Sequence, residues 1–221
     1  MIFNVHQPCR NLGLRAGAIL FRDLRIGPRC PELNDEIARE VAATRGRFPD
    51  AKKPEVSAFL DILRSVGVNP RKVQHSVEKL LACALKRGDL PAINNFVDTY
   101  NLLSLRSLCS LGAHDVDRLT LPVTLRLLQG DETFTPLGRA APEPVRPGEF
   151  GYVAGDNRLL CRLDVMQADF SKVTDATRNA LLIIEATASH SPATVRGVFD
   201  AALDLVPRFC GGSGEIVDNA V

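Results

Sequence analysis

The feature that most constrains the fold is a change of texture near residue 118. Beyond it the chain runs through "LPVTLRLL", "ETFTPL", "EFGYVAG", "RLLCRLDV" and "ALLIIEATA", short β-suited segments punctuated by Gly, Pro, Asp and Asn. Before it, apolar residues recur at helical spacing. "CPELNDEIAREVAATRGRF" opens with Pro31 and Glu32 as first-turn residues. In "EVSAFLDILRSVG", Val56, Phe59, Leu60 and Leu63 share one face, and Gly67 ends the run. "NPRKVQHSVEKLLACALKRG" is a third helix stopped by Gly88, and a fourth begins near Ala92 and carries most of 94–117. One early strand, "AGAILFRDLRI", and one late helix, "SPATVRGVFDAALDLV", complete the pattern, and "CGGSGEIVDNAV" reads as a loose tail. The expectation is α+β: helices mainly in the first half around a mixed or barrel-like sheet formed mostly by the second.

With 221 residues, 45% of them apolar and 24% charged, the chain has ordinary globular composition, and a net charge of +1 excludes a global polyanion-binding surface. The Pro-rich "GRAAPEPVRPGEFG" is flanked by strands, so it reads as a surface connection within one domain spanning 1–221, its core about 14–205. Cysteines 9, 30, 83, 109, 161 and 210 include no C-x-x-C pair, as expected of reduced, mostly buried thiols in a cytoplasmic protein. The N-terminus lacks the pattern of a secretory signal, and no segment approaches a membrane span.

The common catalytic motifs are missing: no Walker A loop, G-x-G-x-x-G, H-E-x-x-H or G-x-S-x-G occurs. The four histidines (6, 75, 114, 190) have no paired ligand spacing, which argues against a structural metal. With no Trp and two Tyr, stacking platforms for single-stranded RNA are scarce. Three anomalies remain. Asn94, Asp98 and Asn101 form a polar stripe on the fourth helix, either a solvated face or side chains tied to neighbouring loops. His114 lies in "GAHDVD", where Asp115 or Asp117 caps a turn and the imidazole either orients or contacts a polar group. Glu185 follows four aliphatic residues, at the solvent end of a buried strand or projecting into a pocket.

These residues lie in longer motifs. "LPAINNFVDTYNLLSL...LGAHDVDRL" resembles the B3/B4 editing domain of the phenylalanyl-tRNA synthetase β subunit, with its R-x-I-N-N-x-V-D-x-T-N and H-A-F-D segments. It resembles still more the free-standing B3/B4 proteins, with their IN..VD.YN...L...LGA.D pattern. "VTDATRNALLIIEA" is similar to the family's V-T-E-D-T-x-N-x-L-L-E-A, and "VEKLLACALKRGDLPAIN" to its lead-in helix; together the likeness covers roughly 14–205. Carried over, the Asn of T-N falls on Asn101, the His of H-A-F-D on His114 after a two-residue insertion, its Asp on Asp117, and the Glu of L-L-E-A on Glu185. In the synthetase that His and Glu lie in the amino-acid pocket. The resemblance therefore implies Asn101, His114, Glu185, Tyr100 and Asp164 as substrate-binding residues, with Asn94, Asp98 and Asp117 in support.

What the resemblance implies is a trans-acting deacylase that hydrolyses the ester of a misacylated tRNA. Its partner would be aminoacylated tRNA, with an aminoacyl-tRNA synthetase as a second candidate and neither membrane nor DNA. An aminoacyl ester is already activated, so a positioned water and oxyanion donors suffice without metal, cofactor or covalent nucleophile. Departures from the family pattern shape the substrate expectation. Pro91 stands where the family has Arg, Tyr100 where it has Thr, and "DVMQAD" puts Asp164 and Gln167 in place of pocket glycines. A smaller, more polar pocket follows, suited to a smaller or more polar amino acid than tyrosine. The same change suits a non-catalytic tRNA- or synthetase-binding module, and hydrolysis of a small non-tRNA ester is a third alternative. Arg158, Arg162, Arg178 and Arg196 are tRNA-contact candidates by their nearness to the second motif.

Overall fold

The computed structural model describes residues 1–48 and 53–218. Among these residues, nine strands and six α-helices follow in the order β1 (Phe3–Val5), α1 (Gln7–Asn11), β2 (Leu14–Arg22), α2 (Pro31–Arg47), α3 (Pro54–Ser65), α4 (Ser76–Arg87), α5 (Asn95–Ser107), β3 (Ser110–Asp115), β4 (Val123–Leu127), β5 (Phe150–Val153), β6 (Leu159–Arg162), β7 (Met166–Gln167), β8 (Ala180–Thr187), α6 (Pro192–Cys210) and β9 (Ser213–Asp218). The expected α+β class and the concentration of helices in the first half are both present. The strands form two open sheets rather than a barrel: β1-β4-β5-β6-β7 and β3-β8-β2-β9. All neighbours are antiparallel except β1 and β4.

The layers follow from strand periodicity. On β8, Leu182, Ile184 and Ala186 join a core with α2, α4, α5 and α6, while Leu181 and Ile183 join Phe150, Tyr152 and Leu160 of the other sheet. β2 divides the same way, Ile19 and Phe21 facing the helices and Leu14, Ala16 and Ala18 facing the second sheet. At β2 and β8 the four-stranded sheet is therefore a middle layer buried on both sides, with β9 exposed at its edge, which is why "AILF" and "ALLII" are continuous apolar runs instead of alternating ones.

Four expectations about local structure need correction. The helix expected to run on toward His114 ends at Ser107, because Leu108 adopts a left-handed conformation (φ 61°). Ser107 Oγ then accepts from Cys109 N–H at 3.1 Å and Ser104 Oγ from Leu111 N–H at 3.1 Å, so local hydroxyls turn the chain into β3. The segment "ETFTPL" makes only isolated bridges, at Thr133 and Pro136. The third helix begins at Ser76 rather than in the preceding "NPRKVQ". The tail is also not loose throughout: Gly211 and Gly212, at φ 64° and 73°, reverse the chain into β9, which pairs with the edge of β2. A Cβ on Gly212 would lie 2.1 Å from Arg22 O, so only glycine makes that turn; residues 219–221 lie outside the described residues.

The polar stripe of α5 is buried at Asn94 and Asp98 and half-buried at Asn101, not a solvated face. Asn94 caps the helix by accepting from Val97 N–H at 2.8 Å. Asn95 accepts from Gly27 N–H at 3.0 Å and donates to Arg25 O at 3.0 Å and Phe209 O at 2.9 Å, joining three segments. Asp98, fully buried, accepts from Arg29 Nε at 2.9 Å and from Ile93 N–H at 3.0 Å. Among the described residues, no helix is long and apolar enough to cross a membrane, and the cysteines are free thiols. Removing Asp98 strands a largely buried guanidinium, so Asp98→Ala is expected to destabilise the fold by about 3 kcal/mol in urea unfolding. A loss below about 1 kcal/mol would mean that the Arg29 contact to Pro91 O already suffices.

Candidate functional site

Between the sheets, at the end where β3 and β8 face β5 and β6, lies a cavity of about 40 Å³. Glu185 follows Leu181 and Ile183 at two-residue intervals on β8, so strand alternation aims it between the sheets rather than toward solvent. On β3, Ser110, Gly112 and His114 occupy the corresponding face, and Ser110 is in register with Glu185. Leu111 and Ala113 face the helices. From the opposite sheet, Tyr152 donates its hydroxyl proton to Glu185 Oε2. Gln167 lines the wall and donates to Ala113 O at 3.0 Å.

Asp164 enters from the turn between β6 and β7, where Leu163 and Asp164 have φ of 60° and 53° and Val165 N–H closes the turn on Arg162 O at 3.0 Å. Two successive left-handed residues suit glycine, and holding them without it costs about 1 kcal/mol each, less for Asp. Their side chains use the site: Leu163 packs into the core and Asp164 lines the cavity. Asp164 Oδ2 lies 3.0 Å from Nε2 of His75, the residue before α4. The ring N–H does not point at that oxygen, so the contact is electrostatic and not a hydrogen bond. The His75 ring stacks on Phe59, centroids 4.2 Å apart.

This is a weakly solvated place for charge. Burial, reinforced by the Asp164 charge, pushes the Glu185 carboxyl well above the usual carboxylate range, against the opposing hydrogen bond from Tyr152. Burial likewise raises the Cys161 thiol and the Tyr152 phenol. The His114 imidazole is pushed down to about 3 by burial, so it is neutral at physiological pH, with Nδ1 2.9 Å from Ser171 Oγ.

Of the residues singled out in the sequence, the fold brings His114, Asp164 and Glu185 together around this cavity. It does not bring Tyr100 and Asn101 there. Tyr100 is buried against Phe96 in the helical core, and Asn101 is half-buried on α5 and not among the residues lining the cavity. The reason is that α5 packs on the far side of the middle sheet. Asn94 and Asp98 hold the start of α5, and Asp117 accepts two hydrogen bonds from Asn179 Nδ2, at 2.9 and 3.1 Å. Asp115 caps the turn after β3, accepting from Asp117 N–H at 3.2 Å and from Thr177 Oγ1 at 2.7 Å.

Sequence reasoning missed His75 and Tyr152. The alternation in "SLGAHD" was a signal for the cavity face of β3, whereas nothing local marks His75. Beside the cavity, across the β6–β7 turn, opens a cleft of about 310 Å³ bordered by Lys72, Arg146, Arg162 and Glu149. Arg162 is held by Glu149 at 2.6 and 3.0 Å, while Lys72 and Arg146 form no ion pair among the described residues. Arg158 is paired with Asp156 and stacks on Phe170, Arg178 donates to backbone carbonyls, and Arg196 is exposed on α6.

A profile of the B3/4 domain matches residues 60–211. Among solved structures, the chain is similar to an N-terminal fragment of the phenylalanyl-tRNA synthetase β-subunit from Pyrococcus horikoshii, at 11% identity and a TM-score of 0.48. That similarity covers 96% of this chain and 50% of the fragment, so the chain spans about half its length. No curated protein sequence matches.

The neutral His114 makes a pH prediction. Its folded pKa of about 3 lies below the ordinary 6.5, so protonation favours the unfolded chain. Its contribution is complete above 6.5 and is lost as pH falls from 6.5 toward 3, by up to about 1.4 kcal/mol per pH unit. In chelator-containing buffer, His114→Asn, which retains an amide for Ser171, is expected to flatten the acid limb of stability by about one proton. An unchanged slope would assign the acid sensitivity to other groups.

Proposed function

The chain belongs to the B3/4 domain family, and on that premise we propose that it is an editing deacylase, hydrolysing the ester between a small polar amino acid and a misacylated tRNA. The observation that carries this reading is the convergence of His114, Asp164, Glu185 and Gln167 on one small cavity between apolar sheets. Asp164 Oδ2 and Glu185 Oε1, which make no hydrogen bond among the described residues, would be satisfied by an occupant that brings donors. That is how a pocket rejects a side chain lacking them far more strongly than an apolar pocket can. Size adds to this. A cavity of about 40 Å³ has room for only a few water-sized groups, which favours a small side chain.

The chemistry asks little of the protein. The aminoacyl ester lies beside a ribose hydroxyl and is intrinsically reactive, so holding it against a water and a few donors supplies much of the rate. The neighbouring cleft with Lys72 and Arg146 offers positive charge where the nucleotide end of such a substrate would lie. A second reading, a tRNA- or synthetase-binding module without hydrolysis, is favoured by one feature: Asp164 and Gln167 narrow the cavity.

The deciding measurement is release of amino acids from a panel of mischarged tRNAs by the purified protein. Selective release of one small polar residue is expected, with tyrosine on the phenylalanine tRNA spared. His114→Ala and Glu185→Gln should each slow release by about 100-fold while remaining folded. tRNA binding without release of any amino acid would favour the binding module, and wild-type rates in both folded variants would remove these residues from the site.

A further inference from the structure

His75, Asp164 and Glu185 place a ring nitrogen and two carboxylate oxygens all within 4.8 Å of one another. His75 and Glu185 are each 1% exposed, and neither ring nitrogen of His75, nor Asp164 Oδ2, nor Glu185 Oε1 makes a hydrogen bond within the described chain. Buried polar atoms left unpaired are rare, because each costs about 1–3 kcal/mol. One such atom from each of the three residues, a ring nitrogen and two carboxylate oxygens, gathers in this small space, a donor set of the kind that holds a cation. We propose that these three residues form a binding site for a single divalent first-row transition-metal ion, of which Zn²⁺ is the type.

One donor pair already has the separation of adjacent ligands. Donors at bond lengths of about 2.1 Å and 3.0 Å apart, as His75 Nε2 and Asp164 Oδ2 are, subtend about 90° at the metal, an octahedral angle that a small outward shift would widen to the tetrahedral one usual for Zn²⁺. A mixed imidazole–carboxylate set selects Zn²⁺ or its neighbours over Mg²⁺ and Ca²⁺, which take oxygen ligands alone. The supporting contacts are of the kind that orient metal ligands. Tyr152 holds Glu185 Oε2 and so leaves Oε1 to the site, and Phe59 fixes the plane of the His75 ring. The left-handed turn that delivers Asp164 is a conformation held against local preference. An ion held by three protein donors would leave positions for water or a substrate oxygen. The proposal does not rest on the deacylase reading, since it concerns the donors alone.

The test is direct metal binding to the full chain, with no tRNA present. Protein stripped with chelator is titrated with Zn²⁺ and, separately, with Mg²⁺. Bound metal is counted by elemental analysis, and a Co²⁺ form is examined by visible absorption. One Zn²⁺ per chain, a raised thermal midpoint and Co²⁺ bands unlike those of the aqueous ion are expected, with Mg²⁺ at least about 100-fold weaker. Asp164→Asn should weaken Zn²⁺ by at least about 100-fold, and Tyr152→Phe, which keeps the ring in place and removes the support of Glu185, by about 10–100-fold. His75→Gln serves as a third variant if it folds. Absence of Zn²⁺ binding, or binding that neither Asp164→Asn nor Tyr152→Phe weakens, would overturn the site. Because release from tRNA is measured separately, a failed deacylase assay and a failed metal titration are distinct results.

Discussion

The central constraint on this molecule is the double burial of β8. A strand covered on one face by helices and on the other by a second sheet must be apolar at every position, and "ALLII" meets that demand. A carboxylate in the next position is then a departure with a large desolvation cost, tolerated because Tyr152 donates to it and because a cavity opens beside it. The site exists because the middle layer of the fold is interrupted at one residue. The other cavity groups, from β3, the β6–β7 turn and the start of α4, are gathered around that interruption.

A second set of polar interactions fixes where those elements can be. Asn95 and Asp98 satisfy backbone and guanidinium groups from segments some seventy residues upstream, and Asn95 also binds a carbonyl near the end of α6. Buried networks of this kind specify one arrangement, since any other leaves their donors and acceptors unpaired. With α5 anchored at its start, its end and the hydroxyl-guided turn into β3 carry Ser110, Gly112 and His114 to the cavity. Ser76 Oγ and Ser110 Oγ, 2.7 Å apart, join the start of α4 to the same strand, which brings the adjacent His75 within reach of Asp164.

The two cavities differ in character in a way that suits the proposed reaction. The small one is lined by polar side chains, His114, Tyr152, Asp164, Gln167 and Glu185 among them, and under the proposed function would select by hydrogen bonding and size. The larger cleft is bordered by Lys72, Arg146 and the Arg162–Glu149 pair, and under the proposed function its positive charge would suit a phosphate-bearing group. The β6–β7 turn separates them, so the turn that carries Asp164 also sets the distance between recognition of a side chain and contact with its carrier.

Much of this was legible in the amino-acid sequence, for identifiable reasons. Hydrophobic periodicity and Pro, Gly and Ser punctuation located most helices and strands, because those signals report local backbone preference and burial of one face. The motifs around 91–117 and 173–186 pointed to the family, and the isolated carboxylate after "LLII" pointed to Glu185. Other features depend on interactions that sequence order does not display. The end of α5 rests on two serine hydroxyls turning a helical pattern into a strand, and β9 on two glycines and an available sheet edge. The burial of Asp98, one of a stripe that could have been solvated, and of its neighbour Asn95 depends on partners far along the chain. Tyr100 and Asn101 were drawn toward the pocket by their motif, but the middle sheet stands between it and α5. His75 could not be found by ligand spacing, since the residues it meets lie at 164 and 185. Local chemistry along the chain determined the elements and the family. Only tertiary packing decided which polar side chains lost their water, and it is that loss which makes them a site.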